Sequence, residues 1–462
     1  MKRKLISLIT ISSLVLIALT GCAPRRATAM NRITIIDSGI SQEELEYQPK
    51  ASSDNKTSAS SQESTDTFTP SLSTDARADL LIVGSFDNFE ALEAVIDDFN
   101  EIYPNVHITY EKLDNYEGNI CTRLQNDDSV ALFMNSPDKI ISINGLTDLA
   151  VNVNTINLDM SQFDSNVKKL CSDQNGKIYL LPFWYTYDGF IVNKTLLEKY
   201  NQSIPTNYDE LLSVCETFKR EGIVPIQGHA GNYKHLSLTT DIMIFSGLTQ
   251  MKQHLIIEGS EGSTNVLSSS IEKVFNLKDH NYVADNVNHN YEDDYNATIM
   301  SFFNGDVPFI CTDSTTVTGM PKRETKSKAF LERPFEYTFI PSPLGDDGPI
   351  KYVSVFDACS ISSNCRYPAI AQELFRFIFS KNELTKMAEI KHAPNLCGAN
   401  TLDVYKAFDD VPTANTIVMP YYLTAQFSEA SMATCNYIVN NRLKTVEDAT
   451  TYFEECIRGE HN

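Results

Sequence analysis

Residues 79–110 read DLLIVGSFDNFEALEAVIDDFNEIYPNVHITY, and this stretch decides the fold. Asp79–Gly84 is a short apolar run closed by a glycine, the pattern of a buried strand. Phe89, Leu92, Val95, Ile96, Phe99, Ile102 and Tyr103 then recur at helical spacing and stop at Pro104, which predicts an amphipathic helix. Val106–Tyr110 alternates as a second strand. Residues 116–126 fit a helix, and Val130–Met134 is a further apolar strand. Strand and helix in alternation predict an α/β lobe with parallel strands.

Toward the carboxyl end the pattern continues. Lys177–Leu181 and Phe190–Val192 read as strands. Asn207 with Glu210 three residues on forms a capping box that opens a helix closing at Gly222. Ile223–Ile226 is a strand candidate, with Pro225 marking an edge or a bend. Helices are expected near 236–246 and 292–303, and strands at 307–311 and 336–340. The last third reads mostly as helix, in Pro368–Phe379, Glu383–Ile390, Ser428–Asn440 and Thr445–Ile457. No internal repeat or heptad run is visible. The expectation is an α/β protein of two lobes, the second richer in helix.

Toward the amino end the character changes. Lys2, Arg3 and Lys4 precede an apolar stretch from Leu5 to Leu19 broken only by Ser and Thr, which reads as a secretory signal. It ends in Leu19-Thr20-Gly21-Cys22, which resembles the bacterial lipobox. That resemblance implies cleavage after Gly21 and a diacylglycerol thioether on Cys22, placing the protein on the outer face of the cell membrane. Residues 41–76 hold nine Ser and five Thr, with only Leu45, Tyr47, Phe68 and Leu72 as sizeable apolar groups. So little apolar surface does not offset the ordering entropy, and a flexible tether is expected, reaching roughly 30–36 Å as a random coil. The expected organisation is a signal peptide at 1–21, a lipid-anchored linker at 22–77 and a two-lobed body at 78–462. Lobe 1 is expected at about 78–183 plus 315–380, and lobe 2 at about 184–314 plus 381–458.

The chain has 462 residues with 38 basic and 60 acidic side chains, a formal charge of −22. Residues 78–462 carry 29 basic against 52 acidic groups, so the acidity belongs to the body and disfavours a phosphate-backbone partner. Nine cysteines follow Cys22, an odd number with no Cys-x-x-Cys, so neither a disulfide framework nor a zinc ribbon is expected. His229 and His235 are six apart, unlike a helical i, i+4 metal pair, and 285–294 (DNVNHNYEDD) lacks the glycine and closing Glu of a calcium loop. No Gly-x-Ser-x-Gly, His-Glu-x-x-His or phosphate loop occurs. No cofactor, no metal, no nucleic acid and no catalysis are expected, and the body is read as a monomer.

Six motifs together carry a resemblance. Phe99-Asn-Glu-Ile-Tyr-Pro-Asn105 after a first strand resembles the extracellular solute-binding proteins of ABC importers, in their maltose-binding-like branch. Asn175-Gly-Lys-Ile-Tyr179 with Leu181-Pro182 and Val192-Asn-Lys194 is similar to that family's crossover into the second lobe. Ile204-Pro-Thr-Asn-Tyr-Asp-Glu-Leu211, Phe303-Asn-Gly-Asp-Val-Pro-Phe309, Phe339-Ile-Pro-Ser-Pro-Leu-Gly345 and Thr445-Val-Glu-Asp-Ala449 follow in the family's order. Tyr208 stands where the family has Trp, and Val192 where it has Tyr. The resemblance implies a two-lobed receptor that closes on a ligand, probed by a membrane permease, with a carbohydrate as the expected cargo.

Candidate ligand contacts follow from position and chemistry. Trp184, the only Trp, and Tyr185 and Tyr187 lie just past Pro182 at the lobe crossover, where strand alternation sends Trp184 to one face and the tyrosines to the other. An aromatic face covering a sugar's C–H face removes roughly 60 Å² from water, or about 1–2 kcal/mol per ring. Core packing is the competing reading. Phe86, Asp87 and Asn88 follow the first strand, where carboxylates and amides suit sugar hydroxyls; Asp87 or Asn88 reads equally as a helix N-cap. Asp313 and Ser314 hold the analogous position in the second lobe, with a helix cap again the competing role. Phe356 and Asp357 end a strand after the Gly345 turn, and Tyr421, Tyr422, Tyr233 and His235 complete the set. Two other functions share these features: a sensor that presents its closed form to a membrane kinase, and a secreted glycoside hydrolase, which needs two carboxylates across a cleft.

Overall fold

The computed structural model describes residues 68–85, 89–228, 263–283, 299–418, 427, 429–431, 433–435, 437–438 and 441–459. The first lobe opens as the alternation predicts: β1 (Ala78–Gly84), α1 (Glu90–Ile102), β2 (Val106–Lys112), α2 (Tyr116–Asn126) and β3 (Val130–Asn135). Short helices α3 (Pro137–Ser142) and α4 (Ser165–Cys171) lead to the two-residue β4 (Leu181–Pro182). The chain then forms β5 (Thr186–Asn193), α5 (Lys194–Lys199), α6 (Tyr208–Arg220), β6 (Ile226–Gly228), α7 (Ser263–Asp279) and β7 (Phe309–Asp313). Helices α8 (Ser314–Thr318), α9 (Met320–Lys326) and α10 (Lys328–Glu332) precede β8 (Tyr337–Pro341) and β9 (Lys351–Ser354). Next come β10 (Ala358–Ile361), α11 (Pro368–Ile378), α12 (Lys381–Lys391), α13 (Lys406–Asp409), β11 (Thr416–Val418) and α14 (Val446–Arg458).

These strands make two sheets. The first runs β2-β1-β3-β10-β4, with β1 parallel to β2 and β3 and β10 antiparallel to β3 and β4. The second runs β11-β9-β5-β7-β6, with β8 also on β5. Strand β5 is its spine: β7 lies along one edge, and β8 and β9 share the other. Gly189 permits that pairing, because a Cβ there would stand 2.2 Å from the Ile340 carbonyl oxygen. The sequence expectation placed 315–380 in the first lobe. Instead β8 and β9 pair with β5 of the second sheet, and the return to the first begins only at β10. The reason is local: Tyr337–Pro341 and Lys351–Ser354 find their ladder partners on Gly189–Asn193 and Thr186–Asp188.

Local chemistry accounts for the helices. α1 buries Ala91, Leu92, Val95, Ile96 and Phe99, the face its periodicity marked. Asn207 caps α6 by accepting from the Glu210 N–H at 2.9 Å, while the Glu210 carboxylate reaches back to the Thr206 N–H at 2.8 Å, one residue earlier than a strict capping box. Thr445 caps α14 and Gly459, at φ 71°, closes it. Three expectations shift: Ile223–Ile226 pairs only from Ile226, Lys177–Leu181 pairs mainly at Leu181–Pro182, and the last third contains β9, β10 and β11 as well as helices. The expected helix at 236–246 lies outside the described residues. The nine cysteines after Cys22 are all free thiols. Among the described residues no helix is long and apolar enough to cross a membrane.

Two apolar clusters fill the body. On β5, Tyr187 and Ile191 join the cluster that fills the first lobe, while Phe190 and Val192 join Phe218, Leu211 and Phe453 on the other face. The linker expected at 22–77 is also modified: its described end, 68–77, packs on the first lobe, with Phe68 and Leu72 against that lobe's core.

Candidate functional site

The chain passes between the sheets three times: at 183–185 from β4 to β5, at 355–357 from β9 to β10, and after α12 toward β11. The crossings are tied together. The Phe183 N–H donates to the Asp357 carbonyl at 3.0 Å, and the Tyr185 N–H donates to the Pro394 carbonyl at 3.3 Å. Register places their neighbours side by side, because Ala358 stands opposite both Asn135 of β3 and Pro182 of β4. The junction therefore lies at the carboxyl ends of β1 and β3, the position at which open α/β sheets commonly bind ligands and the candidate site in this chain.

Aromatic rings line these crossings. Phe183 stacks on Phe379 at 5.5 Å, and Trp184 packs between Phe89 at 5.8 Å and Phe183 at 5.7 Å. Tyr185 stacks on Tyr187 at 6.0 Å, and Tyr187 on Phe408 at 4.8 Å. Trp184, Tyr185 and Tyr187 are all buried, whereas Phe356 is 52% exposed. Of these four rings, Phe356 is thus the one that presents its surface.

The polar groups among the rings are incompletely paired. The Tyr185 hydroxyl, Thr186 Oγ1, Asn135 Oδ1 and Asp357 Oδ1 are buried without a hydrogen-bond partner. Each such group carries a desolvation cost of about 1–3 kcal/mol unless something pairs with it. Burial pushes the Asp357 carboxyl up to about 6, against the pull of the Lys391 ammonium and of the Trp184 indole N–H that donates to it. Burial likewise raises the Tyr185 hydroxyl well above its ordinary value.

Several residues at this junction escaped the sequence reading. Lys351 of β9 holds its ammonium 4.8 Å from the centre of the Tyr187 ring. Burial lowers its pKa, opposed by the charges of Asp409 and of Asp164 at the start of α4. Asp409 accepts from the Asn400 backbone N–H at 2.9 Å and from its side-chain amide at 2.7 Å, and Asn400 in turn holds the Asn395 N–H at 2.9 Å. The Asn395–Asn400 stretch with its glycine, NLCGAN, was the available signal for this third crossing.

Asp313 accepts from the Thr315 N–H at 2.8 Å and the Thr316 N–H at 3.3 Å, so its carboxylate caps α8. Ser314 is buried and accepts from the Tyr187 N–H at 3.1 Å. Phe86, Asp87, Asn88, Tyr233, His235, Tyr421, Tyr422 and Cys22 lie outside the described residues. A depression of about 560 Å³ beside Lys199 and Arg333 sits past the far end of β5, away from the crossings, and includes none of the expected contacts. Among the described residues no cluster of His, Cys, Asp and Glu is placed to hold a metal.

Two α/β sheets joined by three crossings, with aromatic rings and unpaired polar groups at the junction, define a receptor of the periplasmic-binding-protein kind. Residues 84–383 match the model of the bacterial extracellular solute-binding proteins, and the chain belongs to that family. It is a solute-binding protein of ABC transport, a family of non-catalytic receptors.

Solved structures agree in fold. A Bacillus licheniformis sugar transporter in complex with stachyose superposes with a TM-score of 0.57 at 16% identity, over 82% of this chain and 98% of that one. Apo RafE from Streptococcus pneumoniae gives 0.63 at 14%, over 84% and 100%. A protein from Streptomyces coelicolor described as a probable secreted solute-binding lipoprotein gives 0.63 at 15%, over 84% and 100%. No curated protein matches the chain.

Proposed function

We propose that this protein is a lipid-anchored receptor that captures an oligosaccharide at the junction of its lobes and delivers it to an ABC importer in the same membrane. The observation that carries the cargo assignment is the group of buried, unpaired polar atoms beside aromatic rings: Tyr185 hydroxyl, Thr186 Oγ1, Asn135 Oδ1 and Asp357 Oδ1. A sugar supplies hydroxyls for these polar atoms and a C–H face for the exposed Phe356 ring. The stachyose and raffinose found in complexes of similar proteins support the same class.

The crossings give the reading its mechanics. Residues 183–185, 355–357 and 392–402 are the segments whose backbone angles must change if the lobes move, and their mutual hydrogen bonds keep the three moving together. A guest that touches both lobes stabilises the closed form by its extra contacts, and closure is what the permease reads. Ligand contacts are assigned to Trp184, Tyr185, Tyr187, Phe356 and Asp357, with Lys351 added. Lipidation is assigned to Cys22 from Leu19-Thr20-Gly21-Cys22.

Trp184 touches the junction and is the chain's sole indole. Titrating raffinose- and stachyose-type oligosaccharides against its fluorescence is expected to give a saturable change. A silent, folded protein across a broad carbohydrate panel would remove the cargo assignment. Mass analysis of the mature amino-terminal peptide tests the acyl group on Cys22.

A further inference from the structure

Residues 68–77 precede the first strand, in a stretch rich in Ser and Thr that offers little apolar surface. They nevertheless hold fast to the first lobe, and the attachment is built around a buried carboxylate. Glu373 of α11 is 1% exposed. Its Oε1 accepts from the Ser71 N–H at 2.7 Å and the Tyr103 hydroxyl at 2.6 Å. Its Oε2 accepts from the Ser71 hydroxyl at 2.5 Å and Arg376 Nη1 at 2.5 Å. These donors hold the carboxyl below its ordinary value despite burial.

Apolar contacts flank this knot. The Phe68 ring meets Phe377 edge-on at 5.0 Å and lies 5.3 Å from the Arg376 guanidinium, while Leu72 and Ala76 rest on the core of the lobe. Glu373, Arg376, Phe377 and Tyr103 all belong to α11 or to the end of α1, so every partner lies on the first lobe. Strand β1 enters at Ala78 and runs toward Gly84 at the crossing end, so the attached segment arrives at the end away from the hinge.

We propose that this face of α11 and the end of α1 is a mount: it captures residues 68–77 and fixes the point from which the amino-terminal segment leaves the body. The mount shortens the tether to 22–67 and hands it to the first lobe alone. Lobe closure then leaves the attachment undisturbed, and the second lobe is the jaw that moves relative to the membrane. The orienting consequence rests on the reading of 22–67 as a membrane tether; the mount itself does not.

Hydrogen–deuterium exchange on the full chain tests it. Native amides in 68–77, Ser71 above all, are expected to exchange at least tenfold more slowly than in the double variant Phe68→Ala/Ser71→Ala, which leaves Glu373 and its body partners in place. Glu373→Gln is expected to accelerate the same amides. Oligosaccharide titration of the double variant is expected to stay within twofold of the native chain. Free-peptide exchange rates across 68–77 in the native chain, or rates indifferent to both variants, would overturn the mount. A silent titration with the exchange pattern intact would remove the cargo assignment and leave the mount standing.

Discussion

Two carboxylates in this protein share burial and differ in company. Glu373, under the amino-terminal segment, has four donors for its two oxygens and is held below its ordinary pKa. Asp357, where the lobes are joined, leaves Oδ1 without a partner and is pushed up to about 6. A desolvated charge that is fully paired is structure; one left short of partners is a cost that the fold carries and a ligand can relieve. On the proposed function the hinge holds its polar groups for a guest, whereas the back of the first lobe uses its own to hold the chain.

The largest expected effect separates these two directly. Glu373→Ala leaves Arg376 charged and the Tyr103 hydroxyl without its acceptor, so denaturant unfolding is expected to show a loss of about 3–5 kcal/mol. Asp357→Asn is expected instead to raise Tm at pH 7 while weakening oligosaccharide binding at least tenfold. If Asp357→Asn lost stability as Glu373→Ala does, the distinction between the two sites would be gone.

The pH dependence sharpens the contrast, because the two groups act with opposite sign. Asp357 has its folded pKa raised from 3.8 to about 6, so its cost is absent below the lower value, grows between them and is complete above about 6. Glu373 is depressed from 4.5, so its contribution is present above that value and is lost as pH falls through the folded pKa. Asp357→Asn is expected to flatten the decline of stability from about pH 4 to pH 6, whereas Glu373→Gln is expected to lower stability at every pH above 4.5 and to flatten the acid limb below it, as read from denaturation midpoints from about pH 2 to pH 7. The smallest effect belongs to Tyr185→Phe. Removing a buried hydroxyl without a partner is expected to stabilise by about 1 kcal/mol and to weaken binding severalfold, measured by unfolding and by titration.

Much of the scaffold was legible because it is local. The spacing from Phe89 to Tyr103 gave α1, the window 116–126 matched α2, and Thr445 with Asp448 marked the start of α14. What stayed hidden depends on partners far along the chain. Strands β10 and β11 are four and three residues long, too short for a periodic signal, and they exist because β3, β4 and β9 supply their ladders. Nothing in the sequence neighbourhood of Lys351 announces the Tyr187 ring it faces across the ladder. Phe68 and Leu72 were recognised as the apolar residues of the tether, but the carboxylate that holds Ser71 between them lies 302 positions away. At the junction, chain position alone singles out Trp184 and Asp357 as candidates; the indole–carboxylate bond between them needs the fold.

On the proposed function, the unpaired polar groups of the hinge take their partners from the hydroxyls of a guest. Calorimetric titration of a binding oligosaccharide at pH 6, repeated in buffers of different ionisation enthalpy, counts the protons exchanged at the moment of binding. A hydroxyl donated to Asp357 lowers its pKa, so release of up to about half a proton per ligand is predicted. Saturable binding with no proton exchanged, unaltered in Asp357→Asn, would contradict the account.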